Sequence, residues 1–258
     1  MSKMKLVSWN VNGVRAAVRK DFINQFKAFD ADIFCLQETK AQDDQVAEAL
    51  AELADDYYIY SNSAERKGYS GTCIICKKEP ISSMPDIGVQ EHDMEGRVLK
   101  VEYEEFNFVD VYVPNSGSGL KRLDYRVMFD EAFNEYLYEL TQEKPLIVTG
   151  DFNVAPTALD LSRPKENYNK TSGFTQMEID GVNALYGIGL FDSFRHFHPD
   201  KVQYTFWNQR TRARETNAGW RIDYFLLTRD LEDNLVSSVI HDQMMGSDHC
   251  PISIELEF

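Results

Sequence analysis

The chain contains 258 residues, of which 43% are hydrophobic and 27% are charged, and its formal net charge is −15. This composition is ordinary for a globular protein with a sizeable core, and no apolar run reaches the roughly 20 residues that a membrane-spanning helix needs. The acidic balance, taken alone, argues against a nucleic-acid-binding protein. The distribution of charge matters more than its sum, however, and basic residues cluster in five short stretches, 15–20, 65–68, 120–122, 163–165 and 210–214.

Short runs of β-branched and aromatic residues predict about twelve strands along the chain. In chain order these are 5–9, 33–36, 57–61, 71–76, 97–103, 106–112, 146–149, 190–193, 203–207, 221–227, 236–241 and 252–256. The first of them begins almost at the N-terminus, which leaves no room for a signal peptide, so we expect an intracellular protein.

Only four segments have a helical pattern, and they do not alternate regularly with the strands. They are 14–29 (with an interruption near Asp21), 43–54, 121–140 and 176–186. This order excludes a Rossmann or TIM-barrel fold and favours an α/β fold in which two mixed sheets pack face to face with helices outside. Because no linker or change of composition divides the chain, we expect a single domain over residues 1–258.

The four cysteines, Cys35, Cys73, Cys76 and Cys250, lie in apolar surroundings. Cys73 and Cys76 are three residues apart on a predicted strand and therefore point to opposite faces. They cannot close on one metal ion without a bend, and we expect buried, reduced thiols.

Polar side chains lie at the ends of many predicted strands, where a rigid scaffold can position catalytic groups. They are Asn10, Asn12, Glu38, Tyr112, Asn115, Asp151, Asn153, Asp223, Asp248 and His249. Taken singly, most of them are ordinary turn residues. Asp223 differs because it lies inside the apolar run "RIDYFLL", where a carboxylate is unfavourable unless it is paired, and His249 is its candidate partner.

These residue types favour one kind of chemistry. The sequence has no nucleophile elbow, no glycine-rich phosphate loop and no dinucleotide fingerprint. The oxygen ligands Glu38, Asn10 and Asp248 suit Mg²⁺, with Mn²⁺ as a substitute. Asn, Tyr and His donors around such a metal suit a phosphate whose charge grows in the transition state. The residues therefore predict metal-dependent hydrolysis of a phosphoester.

Eight motifs in order resemble those of the exonuclease III-type AP endonucleases, members of the endonuclease/exonuclease/phosphatase superfamily. They are "SWNVNG", "DIFCLQETK", "RKGYSG", "YVPN", "GDFNVA", "YTFW", "GWRIDYFLL" and "GSDHCPI". The resemblance covers the chain from Lys5 to Leu256. It implies a DNase I-like, four-layered α/β sandwich with its active site at one rim.

The resemblance also implies an activity and a partner. The activity would be Mg²⁺-dependent cleavage of the phosphodiester 5′ to an abasic site, leaving a 3′-hydroxyl, together with 3′–5′ exonuclease and 3′-end-cleaning activities. The partner would be double-stranded DNA with abasic or 3′-blocked sites. The protein would act as a monomer and would not bind a membrane.

Roles for individual residues follow from the same resemblance. Glu38 looks like the principal metal ligand, with Asn10 and Asp248 beside it. Asp151 looks like the group that orients or deprotonates the attacking water, with help from Asn153. Whether Asp151 or the pair of His249 and Asp223 is the general base stays open.

Further residues would contact the DNA. His249 and Tyr112 would contact the scissile phosphate. Asn115, Arg15 and Tyr69 would bind phosphates or the DNA backbone. Asn12 is placed with them. It stands where some relatives carry Asp, which leaves its part in metal binding open.

An apolar pocket for the extruded abasic sugar would be formed by Phe206, Trp220 and Ile222. An abasic nucleotide is extruded at little expense because it has no base to unstack. Without the resemblance, we would interpret these aromatic side chains as ordinary core residues.

Two other functions compete with this one. Another phosphoesterase of the superfamily, a non-specific DNase or an inositol or lipid phosphatase, would share "GDFN" and "SDH" but would not need the apolar pocket. A non-catalytic DNA-binding protein on the same fold would be expected to lack some of the polar site residues, which are present here.

Overall fold

The computed structural model describes residues 3–258. Its strands are β1 (Lys3–Asn10), β2 (Ile33–Gln37), β3 (Tyr58–Asn62), β4 (Thr72–Cys76), β5 (Ser82–Pro85), β6 (Val98–Glu102), β7 (Asn107–Tyr112), β8 (Leu146–Asp151), β9 (Leu190–Asp192), β10 (Asp223–Thr228), β11 (Leu235–Ile240) and β12 (Ile252–Glu257). Its helices are α1 (Val14–Val18), α2 (Phe22–Phe29), α3 (Asp43–Ala49), α4 (Gln90–Asp93), α5 (Leu123–Glu143), α6 (Pro164–Asn167), α7 (Gln176–Gly187) and α8 (Ser193–Phe197).

Two six-stranded mixed sheets lie face to face. The strand order is β11-β12-β1-β2-β4-β3 in the first sheet and β5-β6-β7-β8-β10-β9 in the second. Each sheet has one parallel pair near its centre, β1 with β2 and β7 with β8. Leu6, Phe108 and Phe225 are among the side chains buried between the sheets.

Helices cover the two outer faces of this pair of sheets. Phe22 and Phe26 of α2 pack with Phe34 against the first sheet. Phe129 and Phe133 of α5 pack on the second, with α7 alongside. The predicted four-layered, DNase I-like sandwich is confirmed.

The helices follow local signals in the sequence. The predicted interruption near Asp21 is present, because Asp21 adopts a left-handed conformation (φ 80°) between α1 and α2. In α5, apolar residues at three- and four-residue spacing form the buried face. Thr175 and Glu178 form a reciprocal capping box at the start of α7.

One predicted strand is wrong. Residues 203–207 form an irregular segment in which Thr205 and Phe206 both donate their amides to the Trp220 carbonyl. Phe206 makes only isolated bridges, to Trp220 and His249. Apolar residues alternate with polar ones in this segment because the apolar side chains pack across the ends of the sheets, not because the segment is a strand.

Several short elements were not predicted. β5 is an exposed edge strand, so it has no buried face to produce an alternating pattern. The helices α4, α6 and α8 have only four or five residues, which is too short for a helical period to show in the sequence.

The cysteines are where the sequence places them. All four are buried and free, and Cys73 and Cys76 lie in different apolar clusters, on opposite faces of β4. Within residues 3–258, no helix has both the length and the apolar character that crossing a membrane requires.

Candidate active site

Polar residues from both sheets meet at one rim of the sandwich. Asn10, Tyr112 and Asp151 are the last residues of β1, β7 and β8. Tyr112 and Asp223 are the register neighbours of Asp151 on its two sides. The Asn10 Nδ2 atom crosses from the first sheet to donate a hydrogen bond of 2.9 Å to Asp151 Oδ2. The strand ends of the two sheets therefore form one polar cluster.

The motif "GDFN" fixes the direction of the Asp151 carboxylate. Gly150 has a φ of 141°, and a Cβ atom there would lie 1.8 Å from the Val111 carbonyl oxygen, so only glycine fits. After the strand ends, the Asn153 amide donates a 2.9 Å hydrogen bond back to Asp151 Oδ1. Asn153 itself has a left-handed backbone (φ 50°), which asparagine tolerates better than most residues.

Glu38 lies immediately after β2 and also has a left-handed backbone, with a φ of 53°. This conformation is uncommon for glutamate and is typical of a constrained functional position. Its Oε1 atom accepts a 3.0 Å hydrogen bond from Asn10, and its Oε2 atom lies 2.7 Å from Lys40 Nζ. Burial would raise the pKa of Glu38, but Lys40 and Asn10 outweigh this effect and lower it.

His249 stands between two carboxylates. Its Nδ1 atom is 2.9 Å from Asp223 Oδ2, and its Nε2 atom is 3.7 Å from Asp151 Oδ2. Burial alone would lower the pKa of His249, but the two carboxylates raise it to about 10. The imidazole is therefore a cation at neutral pH, with Nε2 directed toward the cluster.

The turn "GSDH" is attached to the end of β1. The Ser247 hydroxyl donates to the Asn10 carbonyl at 2.8 Å, and the Trp9 indole donates to the His249 carbonyl at 3.1 Å. Asp248 Oδ1 accepts a 3.0 Å hydrogen bond from Asn12 Nδ2. Asp248 and His249 thus occupy the lip of the sheet because the first strand holds their turn there.

The cluster fits a hard divalent cation. Carboxylate oxygens of Glu38 and Asp151 and a ring nitrogen of His249 lie within 4.8 Å of one another. Because the imidazole is protonated, the two carboxylates are the ligands that this group offers. Burial raises the pKa of Asp151 to about 7, with smaller contributions from the neighbouring carboxylates of Asp223 and Glu38, and together these outweigh the opposing effect of His249. A cation would relieve the repulsion between these carboxylates, and carboxylate and amide oxygens are the ligands of a hard ion such as Mg²⁺.

Asn115 extends the cluster away from the carboxylates. Its Nδ2 atom donates to Asn153 Oδ1 at 3.0 Å, while its Oδ1 atom accepts hydrogen bonds from Gly117 and Ser172. Asn153 Nδ2 donates to the Val113 carbonyl. These contacts place two amide side chains beside Tyr112 at the rim.

An apolar wall adjoins the polar cluster. Trp220 pairs through its backbone with both Phe206 and Leu161, and the Phe206 ring centroid lies 4.9 Å from that of His249. Wall and cluster open into one cleft of about 750 Å³. Ten of the predicted site residues line this cleft: Glu38, Tyr112, Asn115, Asp151, Asn153, Phe206, Trp220, Ile222, Asp248 and His249.

The other five predicted residues lie around the cleft. Asn10 and Asp223 are buried beneath it, and Asn12 contacts Asp248 from the side. Arg15 is exposed on α1, where it donates to the Lys40 carbonyl at 3.2 Å. The Tyr69 hydroxyl accepts hydrogen bonds from Arg97 and Arg122, and Arg97 also donates to the Tyr112 carbonyl.

Sequence reasoning missed a buried support under the site. The Arg126 guanidinium, on α5, donates to the carbonyls of Pro114, Phe152 and Asn153. Its Nε atom pairs with Asp130, one helical turn later. An arginine and an aspartate at i and i+4 on the apolar side of a helix were the available signal.

Comparison with known proteins identifies the family. The sequence pattern of the Endonuclease/Exonuclease/phosphatase family matches residues 7–249.

The chain belongs to this family.

Within the family, the chain is similar to nucleases. It is 47% identical to the exodeoxyribonuclease of Bacillus subtilis, over 97% of this chain and 98% of that protein. It is 44% identical to the DNA repair nuclease APEX1 of Danio rerio, over 99% of this chain and 83% of that protein. The crystal structure of the AP endonuclease of Leishmania major superposes with a TM-score of 0.85 at 30% identity, over 99% of this chain and 88% of that one.

The predicted membership of the family is confirmed by these similarities. So is the prediction of an enzyme, a DNA repair nuclease of the exodeoxyribonuclease and AP endonuclease type. The similarity also disfavours the alternative of an inositol or lipid phosphatase and that of a non-catalytic protein.

Proposed function

We propose that this family member hydrolyses the phosphodiester 5′ to an abasic site in duplex DNA, leaves a 3′-hydroxyl, and also acts on 3′ ends. The observation that carries the proposal is the continuity of the cleft, in which an apolar wall of Phe206, Trp220 and Ile222 adjoins the carboxylates and His249. A bare deoxyribose can pack against such a wall, while its phosphate lies over the polar cluster. A nuclease that reads only the backbone has no need of this wall.

The metal of this proposal is Mg²⁺, held by Glu38 with Asn10 and Asp248 beside it. Asn10 Nδ2 donates a hydrogen bond of 3.0 Å to Glu38 Oε1, which keeps the two side chains together, while Asn10 Oδ1 accepts one from the Asn12 amide. When bound, Mg²⁺ supplies Lewis-acid stabilisation of the charge that develops on the phosphate oxygens. Binding of the ion would reduce the electrostatic repulsion between the neighbouring carboxylates of the cluster.

The positions of the side chains in the cluster suit them to different functions in catalysis. Asp151 is fixed through both carboxylate oxygens, by Asn153 and by Asn10, so it can hold an attacking water in one orientation. His249 is charged and braced by Asp223, so its Nε2–H suits a phosphate oxygen. In this assignment Asp151 handles the water and His249 binds the phosphate.

The amides and the phenol would complete the phosphate site. Asn115 and Tyr112 line the cleft next to Asp151, within reach of a phosphate bound over it. Burial raises the pKa of Tyr112, so its hydroxyl stays protonated and can donate a hydrogen bond.

Cationic side chains mark the proposed path of the DNA. Arg163 and Lys170 line the cleft on the side of the apolar wall. Arg15 is exposed beyond Lys40 on the opposite side, and Tyr69 is a further backbone contact in this proposal. A duplex bound across the cleft would contact both sides through its backbone. A monomer suffices for this arrangement, because every group named comes from one chain.

The test is cleavage of a labelled duplex that carries one tetrahydrofuran abasic analogue, with Mg²⁺ and with EDTA, resolved on a denaturing gel. We expect a single Mg²⁺-dependent nick 5′ to the analogue. The matched intact duplex should give only slow shortening from its 3′ ends. Equal cleavage of the two duplexes would refute the abasic specificity, and cleavage in EDTA would refute the metal requirement.

A further inference from the structure

A second cavity, here called the rear cavity, lies behind the apolar wall of the cleft. Its volume is about 470 Å³, and its walls include Leu159, Tyr186, Phe191, Arg195, Arg221 and Arg229. None of the residues assigned to DNA cleavage lines it. The rear cavity and the catalytic cleft therefore have no lining residue in common, and the rear cavity has no part in the proposed cleavage reaction.

The two cavities share one partition. Along the chain, Trp220 and Ile222 line the catalytic cleft, whereas Arg221 between them lines the rear cavity. The alternation of residues 220–222 is that of extended backbone, whose successive side chains point to opposite faces. The neighbouring segment also contributes to both cavities, with Asp160 on the rear side and Ser162 on the cleft side.

The partition is held by buried ion pairs. Arg221 Nε lies 2.7 Å from Asp160 Oδ1, and Arg221 Nη1 lies 2.7 Å from Asp192 Oδ2. Asp160 Oδ2 is occupied by Thr157, and Asp192 Oδ1 caps α8. Both carboxylates are thus fully engaged by the protein.

Unlike these carboxylates, the guanidinium groups that line the rear cavity keep hydrogen-bond donors that are not engaged by the protein. Within residues 3–258, Arg195 Nε is buried without a hydrogen-bond partner, although the Nη2 atom of the same side chain pairs with Asp160. The Arg229 guanidinium lies over the Phe191 ring, 4.7 Å from its centroid, and remains largely exposed. Arg229 Nη1 lies 2.9 Å from Glu232 Oε1, so the carboxylates of Asp160, Asp192 and Glu232 oppose the three guanidinium groups, but each pairing leaves some N–H donors free.

We propose that the rear cavity is a binding site for a small organic anion that joins a phosphate or carboxylate group to a flat apolar ring. Tyr186, Leu159 and Phe191 offer the apolar surface for the ring. Arg229, stacked on Phe191 and paired with Glu232 through one nitrogen, and the unpaired Nε atom of Arg195 offer donors for the anionic group. Apolar walls with a few converging polar groups are the usual make-up of small-molecule sites.

The experiment is calorimetric titration of the intact protein, in Mg²⁺, with 2-naphthoate. The uncharged ring compound 2-naphthol and the ring-free anion acetate serve as comparison probes. Binding of 2-naphthoate that is clearly tighter than that of both would show that ring and charge are required together. Equal or absent binding of the three probes would overturn the proposal.

Two matched charge reversals locate the bound probe. Arg229→Glu reverses a charge at the rear cavity, and Arg163→Glu does so at the catalytic cleft. Both arginines are exposed and each faces a glutamate three residues later. We expect Arg229→Glu to weaken 2-naphthoate binding by about tenfold or more, because charge reversal at a partly desolvated site acts strongly, and Arg163→Glu to leave it within a factor of two.

Two outcomes would count against the rear cavity. A loss of binding in Arg163→Glu but not in Arg229→Glu, or binding that vanishes in EDTA, would place the probe in the catalytic cleft. As an independent check, Leu159→Trp narrows the rear cavity from its exposed side. Unchanged affinity in this variant would also refute the proposal.

Discussion

At the scale of single residues, Asp151 is restrained from several sides. Asn153 and Asn10 each donate a 2.9 Å hydrogen bond to it, one to each carboxylate oxygen, and His249 Nε2 lies 3.7 Å away. A carboxylate held in this way has little freedom to turn. It can act on a water molecule in one direction only, which is what in-line attack on a phosphate requires.

We therefore expect Asp151→Asn to remove turnover while it preserves DNA binding. The amide keeps the shape of the side chain but cannot accept a proton, and loss of a positioned base typically lowers the rate by about 10²–10⁴-fold. Single-turnover cleavage of the abasic duplex measures the first effect and fluorescence anisotropy the second. Asp180→Asn, on the exposed face of α7, is the control. An Asp151→Asn enzyme within tenfold of wild type would contradict the role.

Glu38 should behave differently, because the role proposed for it is to hold the metal. Glu38→Gln keeps the hydrogen bond from Asn10 but removes the negative charge that now faces Lys40. We expect the Mg²⁺ concentration for half-maximal activity to rise by about 10–100-fold, with partial recovery of the rate at high Mg²⁺. Activity titrated against Mg²⁺ tests this, with circular dichroism to check the fold. An unchanged Mg²⁺ dependence would exclude Glu38 as the main ligand.

The sequence identified a functional residue where a charged side chain lies within an apolar segment and therefore needs a partner. Asp223 inside an apolar strand required a partner, and its contact with His249 at 2.9 Å is present. Arg126 conflicts with its surroundings just as much, but its partners are backbone carbonyls of loops distant in sequence. The pair of Arg126 and Asp130 at i and i+4 could have been read from the sequence, but no side-chain pattern encodes a carbonyl, so the loops that Arg126 supports could not be predicted.

At the scale of elements, the site depends on two parallel strand pairs, β1 with β2 and β7 with β8, that end at the same rim. Short runs of β-branched and aromatic residues predicted these strands, and the polar residues behind them predicted the rim. The segment 203–207 shows where such reasoning fails, because a run packed across the sheet ends contains the same types of residue as a strand. Its true neighbours, Trp220 and His249, become adjacent only in the folded chain.

The partition between the two cavities should influence substrate binding. Asp192→Asn keeps a competent cap on α8 but removes one of the two carboxylates that hold Arg221. Trp220 and Ile222, on either side of Arg221, should then be less firmly placed. We expect KM for the abasic duplex to rise by about 3–10-fold, equivalent to roughly 1 kcal/mol, with kcat within a factor of two.

Steady-state kinetics below the melting temperature of the variant measure this split. Glu232→Gln is the control, since it weakens an exposed ion pair with Arg229 outside the partition. A fall in kcat at unchanged KM would show that the ion pairs support the catalytic cluster instead of the apolar wall.

At the scale of the whole molecule, a polar layer lies between the sheets, directly beneath the catalytic rim. Gln37 of β2 donates to Ser8 of β1 at 2.9 Å and to Asp110 of β7 at 2.7 Å. Asp110 is fully buried, and its Oδ2 atom has no hydrogen-bond partner within residues 3–258. The sequence did not predict this layer, because "FNFVDVYV" is apolar enough to form a strand whichever way its aspartate points.

Asp110 should make the stability of the sandwich depend on pH. Burial raises the pKa of this carboxyl well above its ordinary value, more than the hydrogen bond from Gln37 lowers it. The folded chain therefore keeps a proton that the unfolded chain releases, and the free energy of unfolding falls as pH rises above the ordinary aspartate pKa. The loss is at most about 1.4 kcal/mol per pH unit and ends once pH passes the pKa of the folded state.

Asp110→Asn removes this dependence, because an amide does not ionise. We expect the difference in unfolding free energy between variant and wild type to shift in favour of the variant between pH 5 and pH 8, whatever its sign at pH 5. Urea unfolding at several pH values measures that shift, and Asp180→Asn should show none. Parallel pH profiles for wild type and Asp110→Asn would mean that Asp110 is already ionised in the fold, with its charge stabilised by the polar layer between the sheets.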